Sequence, residues 1–531
     1  MVGVSVAQNS RSQMREELVK DSSEFSRRKV IQTAGTGLLA TVALGSANSS
    51  ASATEGVAED TEDPHPWRPE YHFSPSEGWM NDPNGLVYHE GTFHLFYQAG
   101  ADRRRWDHAT STDLINWTEH GTKVPDTESM QAFSGGSVID TENTAGFGED
   151  ALVAMYTGHH DEGLEDQRIA FSTDNGETVQ NYAENPVIES DEDNFRDPKP
   201  FWYEPDESWR MVVGRVEEAE NRPAGIEIYS SEDLIDWTYE STYVDEGDNG
   251  WECPSLFEHP VEGTDETKWI IPISPIELRS VEYHIGDFDG TEFVAEEIVR
   301  ADYGYDFYAT QRWGNAPDDD GLNITWMGNW EYAMEAPDPG WQGAMTVPRT
   351  ITLRKENGSL EVLQHPAEEV TKTRQEALTE LCSERITPGR DPLEEASVEG
   401  RTLEIDATID PQSAEKVGLR VRKGEEQESV ITYDAREEKL RFDRSNSGKF
   451  FEDGFYDETT TSLERRDDRT IKLHVLVDRS SVEIFANNGQ KTMTNVVYPD
   501  WESTEASLYS ENGSAQLEHL VAYDLCTTDN V

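Results

Sequence analysis

From Trp67 onward the chain alternates short runs of aromatic and β-branched residues, such as Thr92-Phe93-His94-Leu95-Phe96-Tyr97, with clusters of Gly, Asp, Asn and Pro. Runs of that length separated by turn residues read as strands, and no convincing amphipathic helix interrupts them before residue 360. The pattern predicts an all-β domain. Within it, Ser111 to Thr118 (STDLINWT) recurs at Ser231 to Thr238 (SEDLIDWT) with six identities in eight, and Ser172-Thr173-Asp174 lies between them. Ser111, Ser172 and Ser231 are 61 and 59 residues apart. A period near sixty in a β region predicts radially repeated sheets of about four strands, a propeller, and about 300 residues supply about five blades. This domain is expected over 66–365.

Between Leu353 and about Arg374 the pattern loosens into ENGSLEVLQHPAEEVTKTRQE, with a short charged stretch that suits a helix, and the domain junction is placed there. Alternating strands follow at 402–409, 417–421, 429–433, 471–477 and 481–485, separated by acidic turns at the spacing of a β-sandwich. Residues 366–531 are therefore a linker and sandwich, with no cluster of convergent polar residues; packing against the propeller or accessory sugar contact would be its role.

Composition narrows the function. A chain of 531 residues is too long for one core. Lys and Arg total 44 against 107 Asp and Glu, a formal net charge of -63, which repels nucleic acid and anionic membranes. Only 13 of the basic residues are Lys, and the acids run along the whole chain, as on a surface adapted to concentrated salt. With 14 Trp, 19 Tyr and 18 Phe the chain is folded, not an acidic coil. Cys253, Cys382 and Cys526 are too few for a disulfide framework or a four-thiolate zinc site, and no calcium-loop spacing occurs. No metal or cofactor is assigned.

Residues 26 to 53 begin Ser26-Arg27-Arg28-Lys29, continue through a weakly apolar stretch and end Ala51-Ser52-Ala53. This is the order of a secretory signal (1–53), and the paired arginines favour the twin-arginine route, which exports folded proteins. The apolar run is short and broken, which argues against a membrane anchor; a plain disordered extension is the other reading. Residues 54–65 form an acidic linker.

Three acids stand in settings that composition does not explain: Asp82 in Trp79 to Gly85 (WMNDPNG), Asp197 in Phe195-Arg196-Asp197-Pro198, and Glu252 in Trp251-Glu252-Cys253-Pro254. Pro, Gly and large aromatics flank each, as at rigid and partly buried positions. A carboxylate pair in an aromatic hollow suits glycoside chemistry, in which one anion faces the cation-like transition state and one acid protonates the departing oxygen. The plainer readings are an Asx turn for Asp82, an ion pair with Arg196 or Lys199 for Asp197, and one more surface acid for Glu252.

These motifs, with FHLFYQ at Phe93 to Gln98, FSG at Phe133 to Gly135, the blocks at Asp302 to Ala309, Trp326 to Trp330 and Gly343 to Arg349, and Asp478 to Phe485, resemble glycoside hydrolase family 32, the invertases, inulinases and levanases. The resemblance spans Tyr71 to Tyr498 and implies a five-bladed β-propeller followed by a β-sandwich. It also implies Asp82 as nucleophile, Glu252 as general acid/base and Asp197 as transition-state stabiliser, in a retaining cleavage of terminal β-fructofuranosyl units. Asp197 is expected to stay ionised beside Arg196. Sugar contacts implied by the same matches are Trp79, Asn81, Gln98, Trp106, Phe133, Ser134, Arg196 and Asp306. The chain departs from the family pattern at Gly136 and Ser255, where Ser and Asp are usual, and at Trp106-Asp107-His108-Ala109, where two tryptophan blocks are compressed into one. Hydrolysis of sucrose or of fructans of the inulin or levan type is the leading reading; fructosyl transfer to another sugar would use the same residues, and the intact Asp82, Asp197 and Glu252 argue against fructan binding without turnover.

Overall fold

The computed structural model describes residues 65–527 apart from 191–192, 220–221, 247–248, 318–320, 450–454 and 456. The expected export signal, and the acidic linker up to residue 64, lie outside the described residues. Five sheets come first in sequence, antiparallel except where Trp341–Gln342 pairs in parallel with the first strand. Their innermost strands are Gly78–His89, Met130–Asp140, Phe195–Tyr203, the broken pair Trp251–Glu252 and Phe257–Pro260, and Tyr308–Arg312. Each sheet then meanders outward; the first continues through Thr92–Ala99, Arg105–Ser111 and Thr118–Val124.

Buried apolar clusters join the blades in a cycle. Phe96, Trp106 and Tyr156 lie between blades one and two, Met155, Phe195 and Met211 between two and three, Val212, Trp251 and Ile273 between three and four, Ile285, Phe307 and Leu353 between four and five, and Trp313, Ile324 and Leu95 between five and one. The fold is a five-bladed β-propeller with a C-terminal β-sandwich. Each cluster is the inner-facing residues of one sheet laid on the next, as radial packing requires.

The repeated octapeptide is the turn between the third and fourth strands of blades one and three. Asp113 accepts hydrogen bonds from the amides of Ile115 (3.0 Å) and Asn116 (2.8 Å), and Asp233 does the same for Ile235 (2.9 Å) and Asp236 (2.8 Å). Trp117 and Trp237 each donate from the indole to the carbonyl three residues earlier. Asp174 plays the capping part in blade two, through Thr178.

The sandwich stacks a six-stranded sheet on a five-stranded one, around Ile405, Leu419, Phe442, Val475, Ile484 and Leu520. The strands expected there occur at Leu403–Asp410, Lys416–Lys423, Ser429–Asp434, Ile471–Asp478 and Ser481–Ala486. The region that looked like a loosened junction is more ordered than its sequence suggests. Ser359–Pro366 is the outer strand of blade five, a single 3₁₀ segment, Glu368–Thr373, follows, and Arg374–Ile386 is an edge strand of the sandwich. That edge strand is exposed along most of its length, so its residues are charged and carry no hydrophobic alternation.

Propeller and sandwich belong to one compact unit and meet through buried charge. Arg349 donates to Asp302 (3.1 Å) and to Glu483 (2.7 Å), and His72 lies between Asp478 (2.7 Å) and Glu483 (3.0 Å). Burial opposes charge on His72, but hydrogen bonds to Asp478 and Glu483 outweigh it and lift its pKa to about 9. Among the described residues no helix is long and apolar enough to cross a membrane.

Candidate active site

The inner strands are irregular at the level where they face a common cavity. Blade one shifts register between Met80 and Pro83, which places Asn81 and Asp82 in the bulge. Blade two shifts between Phe133 and Gly135, at Ser134. In blade three the shift opposite Val212 and Gly214 falls at Asp197 and Pro198, and in blade five it falls between Tyr308 and Gln311. Blade four breaks after Glu252. A bulge redirects a side chain that regular alternation would turn into an interblade core. Asp197 (φ 68°), Cys253 (φ 52°) and Ala309 (φ 63°) all hold left-handed backbone without being glycine, at a cost of about 1–3 kcal/mol each.

The cavity has a volume of ≈ 480 Å³ and is lined by Asn81, Asp82, Gln98, Phe133, Ser134, Arg196, Asp197 and Glu252, together with Arg104, Glu165 and Trp330. Asp82 accepts a hydrogen bond from Ser134 Oγ on Oδ2 at 2.7 Å, while its buried Oδ1 has no hydrogen-bond partner. Burial raises the Asp82 pKa, the neighbouring Ser134 and Asn81 side chains counteract it, Glu252 adds to the rise, and the net shift is upward. Asn81 is itself positioned by Trp79, whose indole donates to Asn81 Oδ1 at 2.7 Å.

Glu252 is held on both oxygens: Arg196 Nε donates to Oε1 at 3.0 Å and the Tyr308 hydroxyl to Oε2 at 2.6 Å. Arg196 also donates to both oxygens of Glu165 (2.7 and 2.9 Å) and to Asn194 Oδ1 at 3.1 Å. Its donors are thus committed away from Asp197, which instead accepts from the Cys253 amide at 2.8 Å. Against the expectation that Arg196 keeps Asp197 ionised, burial and then Glu252 push its carboxyl upward, with Arg196 pulling the other way.

Three expected sugar contacts do not line the cavity. Trp79 lies behind Asn81 and next to Trp330, their ring centroids 6.1 Å apart. Trp106 is fully buried between blades one and two, with its indole donating to Phe133 O at 2.9 Å, so the compressed tryptophan block packs a core. Asp306 is fully buried at the sandwich seam, where it accepts from Arg444 (2.7 Å) and from the Val496 amide (2.8 Å). Within the same block, Tyr308 is the residue that reaches the acid pair. Sequence reading also passed over Glu165 and Arg104, which sit in no distinctive tripeptide, and did not single out Trp330 within the Trp326 to Trp330 block. At Gly136 a Cβ would come within 2.2 Å of Lys199 Cδ, so a serine there would require the lysine side chain to shift. Ser255 is buried with its hydroxyl unpaired.

The description "Glycosyl hydrolases family 32 N-terminal domain" matches residues 72–366, and "Glycosyl hydrolases family 32 C terminal" matches residues 365–524. The chain belongs to glycoside hydrolase family 32. Among its relatives, a levanase of Bacillus subtilis is 38% identical over 86% of this chain and 70% of its own length. An extracellular exo-inulinase of Meyerozyma guilliermondii is 36% identical over 82% of this chain and 91% of its own. The crystal structure of exo-inulinase from Aspergillus awamori superposes with a TM-score of 0.81 at 30% identity, covering 87% of this chain and 99% of that one. Membership of this glycoside hydrolase family makes the chain an enzyme that acts on fructosides.

Proposed function

We propose that the protein is a retaining β-fructosidase that releases terminal fructofuranosyl units from sucrose or from fructans of the inulin or levan type. The observation that carries this reading is that Asp82 from blade one and Glu252 from blade four line one cavity, with Asp82 Oδ1 uncommitted. Asp82 attacks the anomeric C2 as the bond to the leaving oxygen breaks, and Glu252 supplies that oxygen's proton. Water then attacks C2 of the fructosyl ester, giving its proton back to Glu252 and releasing the Asp82 carboxylate. Asp197 grips the fructose ring hydroxyls and stabilises the transition state, and Phe133 offers an apolar face to the sugar.

Purified protein incubated with sucrose, inulin and levan tests this. Free fructose is expected; longer oligosaccharides would indicate transfer to sugar in place of water, and binding without product would remove the enzymatic reading. Asp82→Asn is expected to lower kcat/KM by about 10³-fold or more with the fold intact.

The extracellular relatives and the arginine pair at Arg27-Arg28 support export by the twin-arginine route; replacing both arginines with lysine is expected to retain the protein in the cell. A net charge of -63 supports adaptation to salt. Dialysis to low ionic strength is expected to lower both activity and Tm as carboxylate repulsion loses its screening, and indifference to salt would remove that reading.

A further inference from the structure

We propose that Glu380, Cys382 and His519, on the outer surface of the sandwich, form a binding site for a divalent transition metal of the zinc class. The edge strand Arg374–Ile386 pairs antiparallel with Ala515–Leu525, in a register that sets Cys382 directly opposite His519 and Glu380 opposite Val521. Alternation along a strand puts Glu380 and Cys382, two residues apart, on one face, with His519 their neighbour across the ladder. The three donor atoms, a carboxylate oxygen, a thiol sulfur and an imidazole nitrogen, all lie within 4.8 Å of one another. Among the described residues no other group of three or more such donors meets this spacing.

The spacing fits the metal. Zinc bonds of about 2.3 Å to sulfur and about 2.0–2.2 Å to nitrogen and oxygen place tetrahedral neighbours about 3.3–3.7 Å apart. His519 Nε2 and Glu380 Oε1 are 3.2 Å apart, and Cys382 Sγ lies within 4.8 Å of both donors. Thiolate with imidazole selects zinc, cobalt or nickel over calcium or magnesium, which take all-oxygen sets. A cross-strand ion pair would account for His519 and Glu380 but not for a solvent-exposed free thiol against them. The fourth position opens to solvent.

Binding exchanges the thiol proton for the metal and ties the edge strand to its neighbour across the ladder, so the site acts as a clip on the sandwich margin. Its residues lie outside the catalytic cavity, and hydrolysis is expected to proceed without it.

The test uses the full-length protein after treatment with chelator. Titration with Co²⁺ is expected to give one equivalent of binding with a near-ultraviolet thiolate-to-cobalt charge-transfer band, and Zn²⁺ is expected to displace it and to slow alkylation of Cys382. Cys382→Ser is expected to abolish the band, and both Cys382→Ser and His519→Ala to weaken Zn²⁺ binding about tenfold or more; Cys526→Ser keeps both properties. Far-ultraviolet circular dichroism and hydrolytic activity in chelator are expected to be the same for all three variants. Cobalt binding without the charge-transfer band, or zinc affinity unchanged in Cys382→Ser, would assign the metal to scattered surface carboxylates and overturn the proposal.

Discussion

The Tyr308 hydroxyl lies 2.6 Å from Glu252 Oε2, while Arg196 Nε holds the opposite oxygen at 3.0 Å. The carboxyl of the proposed acid/base is therefore fixed in rotation by groups from blades three and five, although it stands on blade four. Hydrogen bonds to charged groups are worth about 1.5–3 kcal/mol. Tyr308→Phe is expected to lower kcat about tenfold or more, with KM changed less and circular dichroism unaltered. A variant with wild-type kcat would show that Tyr308 only fills space.

Asp306 and Arg444 form a fully buried ion pair at the propeller-sandwich seam. Removing one member leaves the other charged in an apolar setting, at a cost of about 3–5 kcal/mol. Arg444→Met is expected to lower the midpoint of denaturant unfolding accordingly, and adding Asp306→Asn to recover part of the loss. Equal stability of Arg444→Met and wild type would contradict the pairing.

His72 gives the seam a dependence on alkaline pH. Its folded pKa of about 9 lies above the reference value of 6.5, so its contribution is complete below about pH 6.5 and is lost as pH rises through 9. Scanning calorimetry from pH 6 to 10 is expected to show Tm falling, with a flatter profile in His72→Gln. Parallel profiles for the two proteins would exclude His72 as the titrating group.

Lys199 acts in the opposite sense. Its ammonium is buried, with one hydrogen bond, to Arg312 O at 3.4 Å, and burial followed by Arg312 pulls its pKa from 10.5 to about 7. A depressed lysine pKa means that folding disfavours the charged form, a penalty complete below about pH 7 and fading as pH climbs toward 10.5. Lys199→Met is expected to raise Tm, by more at pH 6 than at pH 10. A lowered Tm at pH 6 would mean that the ammonium has a stabilising partner.

Much of the architecture was legible because the octapeptide repeat is a capped turn whose Ser, Asp and Trp all have jobs within eight residues, so its period reports the blade. Asp82, Asp197 and Glu252 were legible for a related reason: the Pro, Gly and Trp around them are what a bulged inner strand needs. The failures have physical causes too. Asp306 and Tyr308 share one block, and no local pattern says which faces the seam and which the cavity. Trp106 reads as a stacking platform until its indole is found committed to a backbone carbonyl between blades. Glu165 meets Arg196 only because two separate sheets converge, and Cys382 meets His519 only through a strand register that spacing does not encode.

The charges at the seam also decide how far the gene can be trimmed. A chain stopped after the fifth blade would present Asp302, Asp306 and Arg349 to water without their sandwich partners, and His72 would lose both of its carboxylates. The propeller is thus no minimal catalyst that could be cut free: shortened versions are expected to be insoluble or inert, even though every group lining the sugar cavity would still be encoded.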